Sequence, residues 1–176
     1  MKKEFDTQKK LYTLAILVQD IPGVLSQVAR LFSRKGYNIE SIVSGETDKP
    51  GTTRITIVIL GDELMVNQIA AQCRKLIPVQ AVKILDENVS IQREFALIKV
   101  KTADRSARDE VIQMSNLFRA NIIDVSPQNM IIELTGDTTK TEAFIEVVRP
   151  FGILQAVRSG ISGLERGVQI QNPSKV

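Results

Sequence analysis

The sequence predicts an α+β fold in which the element order β-α-β-β-α-β occurs twice. Apolar runs typical of strands alternate with amphipathic stretches typical of helices, in the same order in both halves of the 176 residues. A shift of 75 residues, from 61 to 136, also places Gly61-Asp62 on Gly136-Asp137 without a gap. The same shift aligns Arg74 with Arg149, and "QAV" at 80–82 with "QAV" at 155–157. This order is the split β-α-β arrangement, so two ferredoxin-like domains in tandem are predicted.

The elements of the first half follow from its apolar spacing. "LYTLAILV" and "RITIVIL" are continuous apolar runs, and the residues between them recur at helical spacing from Val24 onwards. Gly36 stops this helix, and Asp62 is the expected N-cap of the next one. The predicted elements are a strand at 11–18, a helix from 24 to 36, a polar-sided edge strand at 37–46, a strand at 54–60, a helix after residue 62 and a strand at 79–84.

The second half gives the same series with a shorter second-strand region. Ser106 with Asp109 has the spacing of a capping box and is expected to open its first helix. Strands are predicted at 95–100, 122–125, 130–134 and 154–157, and the second helix at 141–148. The predicted divisions are a basic leader at 1–10, the first domain at 11–84, a linker at 85–94, the second domain at 95–160 and an extended C-terminal tail at 161–176.

Composition removes several classes of function. The chain has no histidine and one cysteine, so we expect neither a metal site nor a catalytic residue of its own. Cys73 lies on the apolar stripe of a predicted helix and is expected to be a core residue. The polar N-terminus resembles no signal peptide and no apolar run is long enough to span a bilayer, so we expect no membrane association and a cytoplasmic location.

The turn "DIPG" at 20–23 is the candidate binding site. Pro22 suits the first helical position, and Gly23 lets another molecule approach the backbone. The N–H groups of Gly23, Val24 and Leu25 are expected to be free at the helix N-terminus, where a carboxylate is favoured, and Asp20 can pair with an ammonium group. An apolar wall can come from Val24, Leu25 or Ile39. A free α-amino acid with a small branched side chain fits these features, whereas the alternative is that Asp20 only caps the helix and Pro22-Gly23 only turns the chain.

Two further features bear on partners. Asn38 follows the first helix, where it is either a turn residue or a hydrogen-bonding group that meets a ligand across an interface. The strands at 14–18 and 55–60 are apolar on both alternations, yet helices in this fold cover one face of the sheet only. Self-association or packing between domains is expected to bury the other face, and we favour an obligate homodimer.

Longer stretches resemble a known family. "DIPGVLSQVARLFSRKGYNIESI" is similar to the ACT domain, so the first of the two domains is identified as a member of that class. "FRANIIDVSP", "IELTGD", "EAFIEVVRPFGI" and "RSGISGLERG" resemble the second domain of small regulatory subunits of acetolactate synthase (acetohydroxyacid synthase). The resemblance covers about residues 10–168 and implies a non-catalytic subunit in branched-chain amino acid biosynthesis. Such a subunit dimerises, activates a large catalytic subunit and confers feedback inhibition by valine.

The resemblance also implies where valine and the cofactors bind. The valine site lies between two ACT domains, with Asp20, Gly23, Val24 and Leu25 from one chain and Asn38 and Ile39 from the other. No cofactor is expected in this chain, because thiamine diphosphate, Mg²⁺ and FAD belong to the catalytic partner. Relatives with a valine site often carry asparagine at the position of Asp20. A carboxylate there attracts the ammonium group of the ligand and repels its carboxylate, so the orientation and affinity of the ligand are expected to differ.

Other functions of this fold fit the residues less well. A stand-alone ACT-type module that controls another enzyme stays open as an alternative. RNA binding on a ferredoxin-like sheet needs aromatic side chains on the central strands, and "LYTLAILV" and "RITIVIL" offer only Tyr12. An acylphosphatase-like enzyme needs an arginine in the first loop, and "VQDIPGVLS" has none. We therefore expect no nucleic-acid partner.

Overall fold

The computed structural model describes residues 9–167. Most of the predicted leader and the end of the predicted tail, residues 1–8 and 168–176, lie outside this part. The chain divides into two compact units. Unit 1 is the chain up to Ile91 together with the stretch from Ser162, and unit 2 is Gln92–Ile161.

Unit 1 forms one antiparallel sheet with the strand order β2-β3-β1-β4. β1 forms because six consecutive apolar or threonine side chains, residues 13–18, are all buried. The central pair β1 and β3 is in continuous register, from Lys10 opposite Gly61 to Gln19 opposite Thr52. The elements are β1 (Lys10–Gln19), α1 (Val24–Arg34), β2 (Ser41–Glu46), β3 (Thr52–Gly61), α2 (Glu63–Cys73) and β4 (Val79–Leu85).

The sheet of unit 2 has the equivalent order, β6-β7-β5-β8. Its core contains the apolar alternation of β5 and β7 together with Phe144 of the second helix. The elements are β5 (Ser90–Lys101), α3 (Arg105–Leu117), β6 (Asn121–Val125), β7 (Asn129–Gly136), α4 (Thr138–Val148), a short 3-10 turn (Arg149–Phe151) and β8 (Ile153–Glu165). The prediction of two tandem ferredoxin-like folds is confirmed.

The sequence repeat corresponds to a repeated helix start. Asp62 Oδ1 accepts a hydrogen bond from the Met65 N–H at 2.8 Å, and Asp137 Oδ1 accepts one from the Lys140 N–H at 2.8 Å. The glycine before each aspartate ends a strand, where a Cβ atom would collide with the side chain of Met65 or Lys140. A larger residue at either position would therefore have to displace the side chain of Met65 or Lys140 in the first helical turn.

The start of α3 was predicted at the wrong residue. Its N-cap is Asp104, whose Oδ1 accepts from the Ala107 N–H at 2.8 Å. Ser106 lies inside the helix, and its hydroxyl donates to Glu110 Oε1 at 3.1 Å. The spacing of Ser106 and Asp109 imitates a capping box, but the aspartate two residues earlier takes the cap.

Three boundaries also differ from prediction. Lys10 belongs to β1 and not to a leader. β5 begins at Ser90, so the connection after β4 is residues 86–89 and the predicted linker at 85–94 is largely strand. β8 continues to Glu165, so residues 161–165 are strand and not tail. The extensions of β5 and β8 were not predicted because their residues are not typical of strands. In β5 the polar stretch "SIQRE" alternates between buried and more exposed positions. In β8 the strand continues through Gly160, which has φ 84°.

The face of the unit 1 sheet away from its helices is buried within the single chain. Paired residues on this face include Thr13 with Val58 and Ala15 with Thr56, and all four are at most 5% exposed. Burial of this face therefore does not by itself require a second copy of the chain, which was one of the two explanations expected for it. The homodimer stays a prediction.

Candidate functional site

The β1–α1 loop, residues 20–23, differs from its expected geometry. Gly23 is the N-cap of α1, with φ 84° and ψ −2°, in the left-handed region that glycine adopts most readily. Pro22 therefore precedes the cap and does not occupy the first helical position. The cap makes no side-chain hydrogen bond, so the alternative that Asp20 caps this helix is wrong.

Backbone hydrogen bonds hold the loop firmly. Gln19 N donates to Pro78 O at 2.8 Å, and Asp20 N donates to Gly51 O at 2.9 Å. Ile21 N donates to Gln19 O at 3.0 Å. These bonds tie the backbone at the start of the loop to two neighbouring turns. Asp20 itself is exposed to solvent.

Of the three N–H groups expected to be free at the helix N-terminus, that of Val24 is taken. The Val24 N–H donates to Ile21 O at 3.2 Å, and the Val24 side chain belongs to the core of unit 1. The N–H groups of Gly23 and Leu25 have no hydrogen-bond partner in the part of the chain that the structure describes. Leu25 and Ile21 are exposed apolar residues beside these donors. Ile21 was missed because it lies between two turn-forming residues.

Asn38 and Ile39 lie just before β2. The Asn38 side chain donates from Nδ2 to Glu40 Oε1 at 2.8 Å, and the Glu40 N–H donates to Val58 O at 2.9 Å. Ile39 is half-buried against the unit 1 core. Asn38 is exposed, so its remaining acceptor, Oδ1, can meet another molecule.

One chain cannot bring Asn38 to the β1–α1 loop. β2 starts at Ser41, opposite Val58, which lies opposite Thr13 of β1. The loop follows Gln19, six residues further along β1, so the two groups are about 20 Å apart along the sheet. A molecule that contacts both must therefore lie between two chains.

Other chemistry is sparse in the described part of the chain. Residues 9–167 hold no group of three or more Cys, Asp or Glu side chains arranged to bind a metal. Cys73 is buried in the unit 1 core, as predicted, and burial raises the pKa of its thiol to about 11, opposed by Arg74. None of the helices described is both long enough and apolar enough to span a membrane.

Comparisons with known proteins give the class and then the family. Residues 14–81 match the family model described as "AHAS small subunit-like ACT domain", so the fold and the β1–α1 loop belong to an ACT-domain protein. Residues 93–167 match "Small subunit of acetolactate synthase". The chain is 48% identical over 158 residues to the acetolactate synthase small subunit of Mycobacterium bovis, which covers 90% of this chain and 94% of that protein.

More distant relatives agree. The small subunit of Aquifex aeolicus is 40% identical over 164 residues, covering 93% of this chain and 85% of that protein. The crystal structure of the acetolactate synthase small subunit from Thermotoga maritima superposes with a TM-score of 0.84 at 38% identity, over 91% of this chain and 99% of that one. The chain belongs to the acetolactate synthase small subunit family.

Proposed function

We propose that this chain is a regulatory subunit that binds the catalytic large subunit of acetolactate synthase, activates it and confers feedback inhibition by valine. Family membership at 48% identity supports the catalytic partner. The free donors of Gly23 and Leu25 beside the exposed Asp20 are the observation that supports an amino-acid effector.

The effector site is built from complementary charges. The N–H groups of Gly23 and Leu25 receive the carboxylate of valine at the positive end of the α1 dipole, and Asp20 receives its ammonium group. The exposed side chains of Ile21 and Leu25 contact its isopropyl group. Val24 holds the loop through its buried side chain and not through a free N–H.

The second half of the site comes from a second copy of the chain, which makes the functional unit a homodimer. β2 is an edge strand, and its Ile42 is exposed. If two copies of β2 pair antiparallel about a two-fold axis, the start of one strand meets the end of the other. Asn38 and Ile39 of one chain then approach the end of the sheet that carries the β1–α1 loop of its partner.

Regulation is a two-state equilibrium. The dimer without valine docks on the catalytic subunit and favours its active form, and valine stabilises a different arrangement of the paired domains. A coupling free energy of about 1–3 kcal/mol is sufficient for clear inhibition. Thiamine diphosphate, Mg²⁺ and FAD belong to the catalytic partner in this proposal, and the complex acts in the cytoplasm.

Two measurements test the proposal. Calorimetric titration with valine, leucine and isoleucine is expected to give binding heat, and the absence of heat with all three at millimolar concentration contradicts effector sensing. Co-purification with the catalytic subunit, followed by an activity assay, is expected to give a complex more active than that subunit alone. Effector binding without co-purification would instead favour a stand-alone ACT-type module that controls another enzyme.

A further inference from the structure

The C-terminal end of β8 is bonded to the sheet of unit 1. Arg54 of β3 donates from Nη2 to the Gly163 carbonyl at 2.6 Å, and the Arg166 N–H donates to Val89 O at 2.8 Å. Gly163 is buried. These contacts lie within "RSGISGLERG", a sequence that the effector site does not use.

Glu165 supplies the compensating charge for this attachment. Its side chain is 11% exposed and forms an ion pair with Lys83 of β4. Burial lowers the pKa of Arg54, and the charge of Glu165 acts in the opposite direction. Arg54 Nε is buried without a partner in the described structure, so loss of Glu165 leaves a poorly solvated cation. We call Arg54, Lys83, Glu165 and the Gly163 carbonyl the β8 clasp.

The β8 clasp lies near the β1–α1 loop. Arg54 is opposite Leu17 of β1, and Thr52, two residues away on β3, is opposite Gln19. Asp20 follows Gln19 directly. Two residues of strand span about 7 Å, so the proposed effector and the clasp act on the same end of the same two strands.

We propose that the β8 clasp transmits effector binding from the β1–α1 loop to the second domain. β8 begins in unit 2 and ends in unit 1, so a shift of the β1–β3 end reaches unit 2 along one continuous strand. Glu165 is a positioning residue in this scheme, since it holds β8 and does not touch the effector. The inference rests on the proposed valine site and specifies how that site is coupled to inhibition.

The test compares Glu165→Gln with Glu87→Gln, which removes the same charge at an exposed residue of unit 1. Hydrogen exchange of the Arg166 amide is expected to be at least tenfold faster in Glu165→Gln and unchanged in Glu87→Gln. The valine affinity of Glu165→Gln, measured by calorimetry, is expected to stay within twofold of wild type. Residual activity of the reconstituted holoenzyme at saturating valine is expected to rise at least fivefold, and Glu165→Asp, which keeps the charge, is expected to restore inhibition.

Contrary results separate the two proposals. Unchanged Arg166 exchange or unchanged inhibition in Glu165→Gln overturns the clasp, as does a tenfold loss of valine affinity, because Glu165 would then act in binding. If wild type itself gives no heat with valine, the proposed effector site fails, and the transmitting role fails with it. Should Glu165→Gln lose its native circular dichroism, Lys83→Gln removes the more exposed partner and is expected to give the same loss of inhibition.

Discussion

Arg158 grips the carboxylate of Glu94 with two hydrogen bonds, from Nε to Oε2 at 3.0 Å and from Nη2 to Oε1 at 2.6 Å. The Glu94 side chain is 2% exposed and that of Arg158 is 36% exposed. The hydrogen bond with Glu94 raises the pKa of Arg158, so the guanidinium group stays charged. Arg158→Met leaves a buried carboxylate without this partner and is expected to lower the free energy of unfolding by about 2–3 kcal/mol, measured by urea denaturation.

Arg149 provides the matched control for that variant. It binds Glu146 with the same two-pronged geometry, at 3.2 Å from Nε and 2.6 Å from Nη2, but the pair is open to solvent. Arg149→Met is expected to leave the urea midpoint unchanged, because exposed ion pairs contribute little. Equal losses in the two variants would mean that burial of Glu94 is not the cause.

Gly23 is expected to be intolerant of a side chain although space is available. A Cβ atom at Gly23 meets nothing within 4 Å, so the penalty arises from its φ of 84° alone. Gly23→Ala is expected to destabilise the chain by about 1–2 kcal/mol and to weaken valine binding, because the loop must leave its conformation. Gly45→Ala, at an equally open site without positive φ, is the control and is expected to be neutral in thermal unfolding.

Replacement of Asp20 is expected to weaken valine binding without lowering the thermal stability of the chain. Its side chain caps no helix, so Asp20→Ala is expected to unfold at the wild-type temperature. Loss of the ammonium partner is expected to weaken valine about tenfold in calorimetry, which corresponds to about 1.4 kcal/mol. Asp48→Ala removes another exposed carboxylate and is expected to bind like wild type. A fall in the melting temperature of Asp20→Ala would indicate a structural role.

The thiol of Cys73 is expected to be unreactive in the folded chain. With a thiol pKa of about 11, only about one thiol in a thousand is ionised at pH 8, and the residue is fully buried. Reaction with a disulfide reagent at pH 8 is expected to be negligible in native protein and complete after denaturation in urea. Rapid labelling without denaturant would show that α2 opens readily.

Most of the fold could be predicted from the sequence because the local apolar spacing and the 75-residue repeat indicate the same order of elements. The cap at Asp62 was predicted because this residue precedes an apolar helical stripe, and the 75-residue repeat placed Asp137 at the equivalent position, where the structure shows the second cap. The predicted strand ended at residue 157 because the glycines and arginine that follow are typical of a loop. In the structure Glu94 binds Arg158, and β8 continues past Gly160 to Glu165. Such compensation involves residues distant in sequence, and a local pattern does not contain it.

The residues of the candidate site could be predicted from the sequence, but the backbone conformation of the β1–α1 loop could not. The sequence points to Asp20 and Gly23 because turn chemistry stands between a strand and a helix. It does not reveal that the Ile21 carbonyl takes the Val24 N–H, nor that Gly23 itself caps α1. Both follow from the left-handed conformation of Gly23, which depends on how the loop is tied to Gly51 and to the turn before β4.

The distance between Asp20 and Asn38 within one chain has a genetic consequence. In the proposed homodimer each protomer supplies two unlike half-sites, so a symmetric pair would hold two effector molecules, each bound by groups from both chains. In a mixed pair of an Asp20→Ala chain with an Asn38→Ala chain, both lesions fall in one cavity and the other cavity is wild type. Co-expression of two variants that each sense valine poorly would thus restore about half of the high-affinity sites in every heterodimer, the pattern of intersubunit complementation.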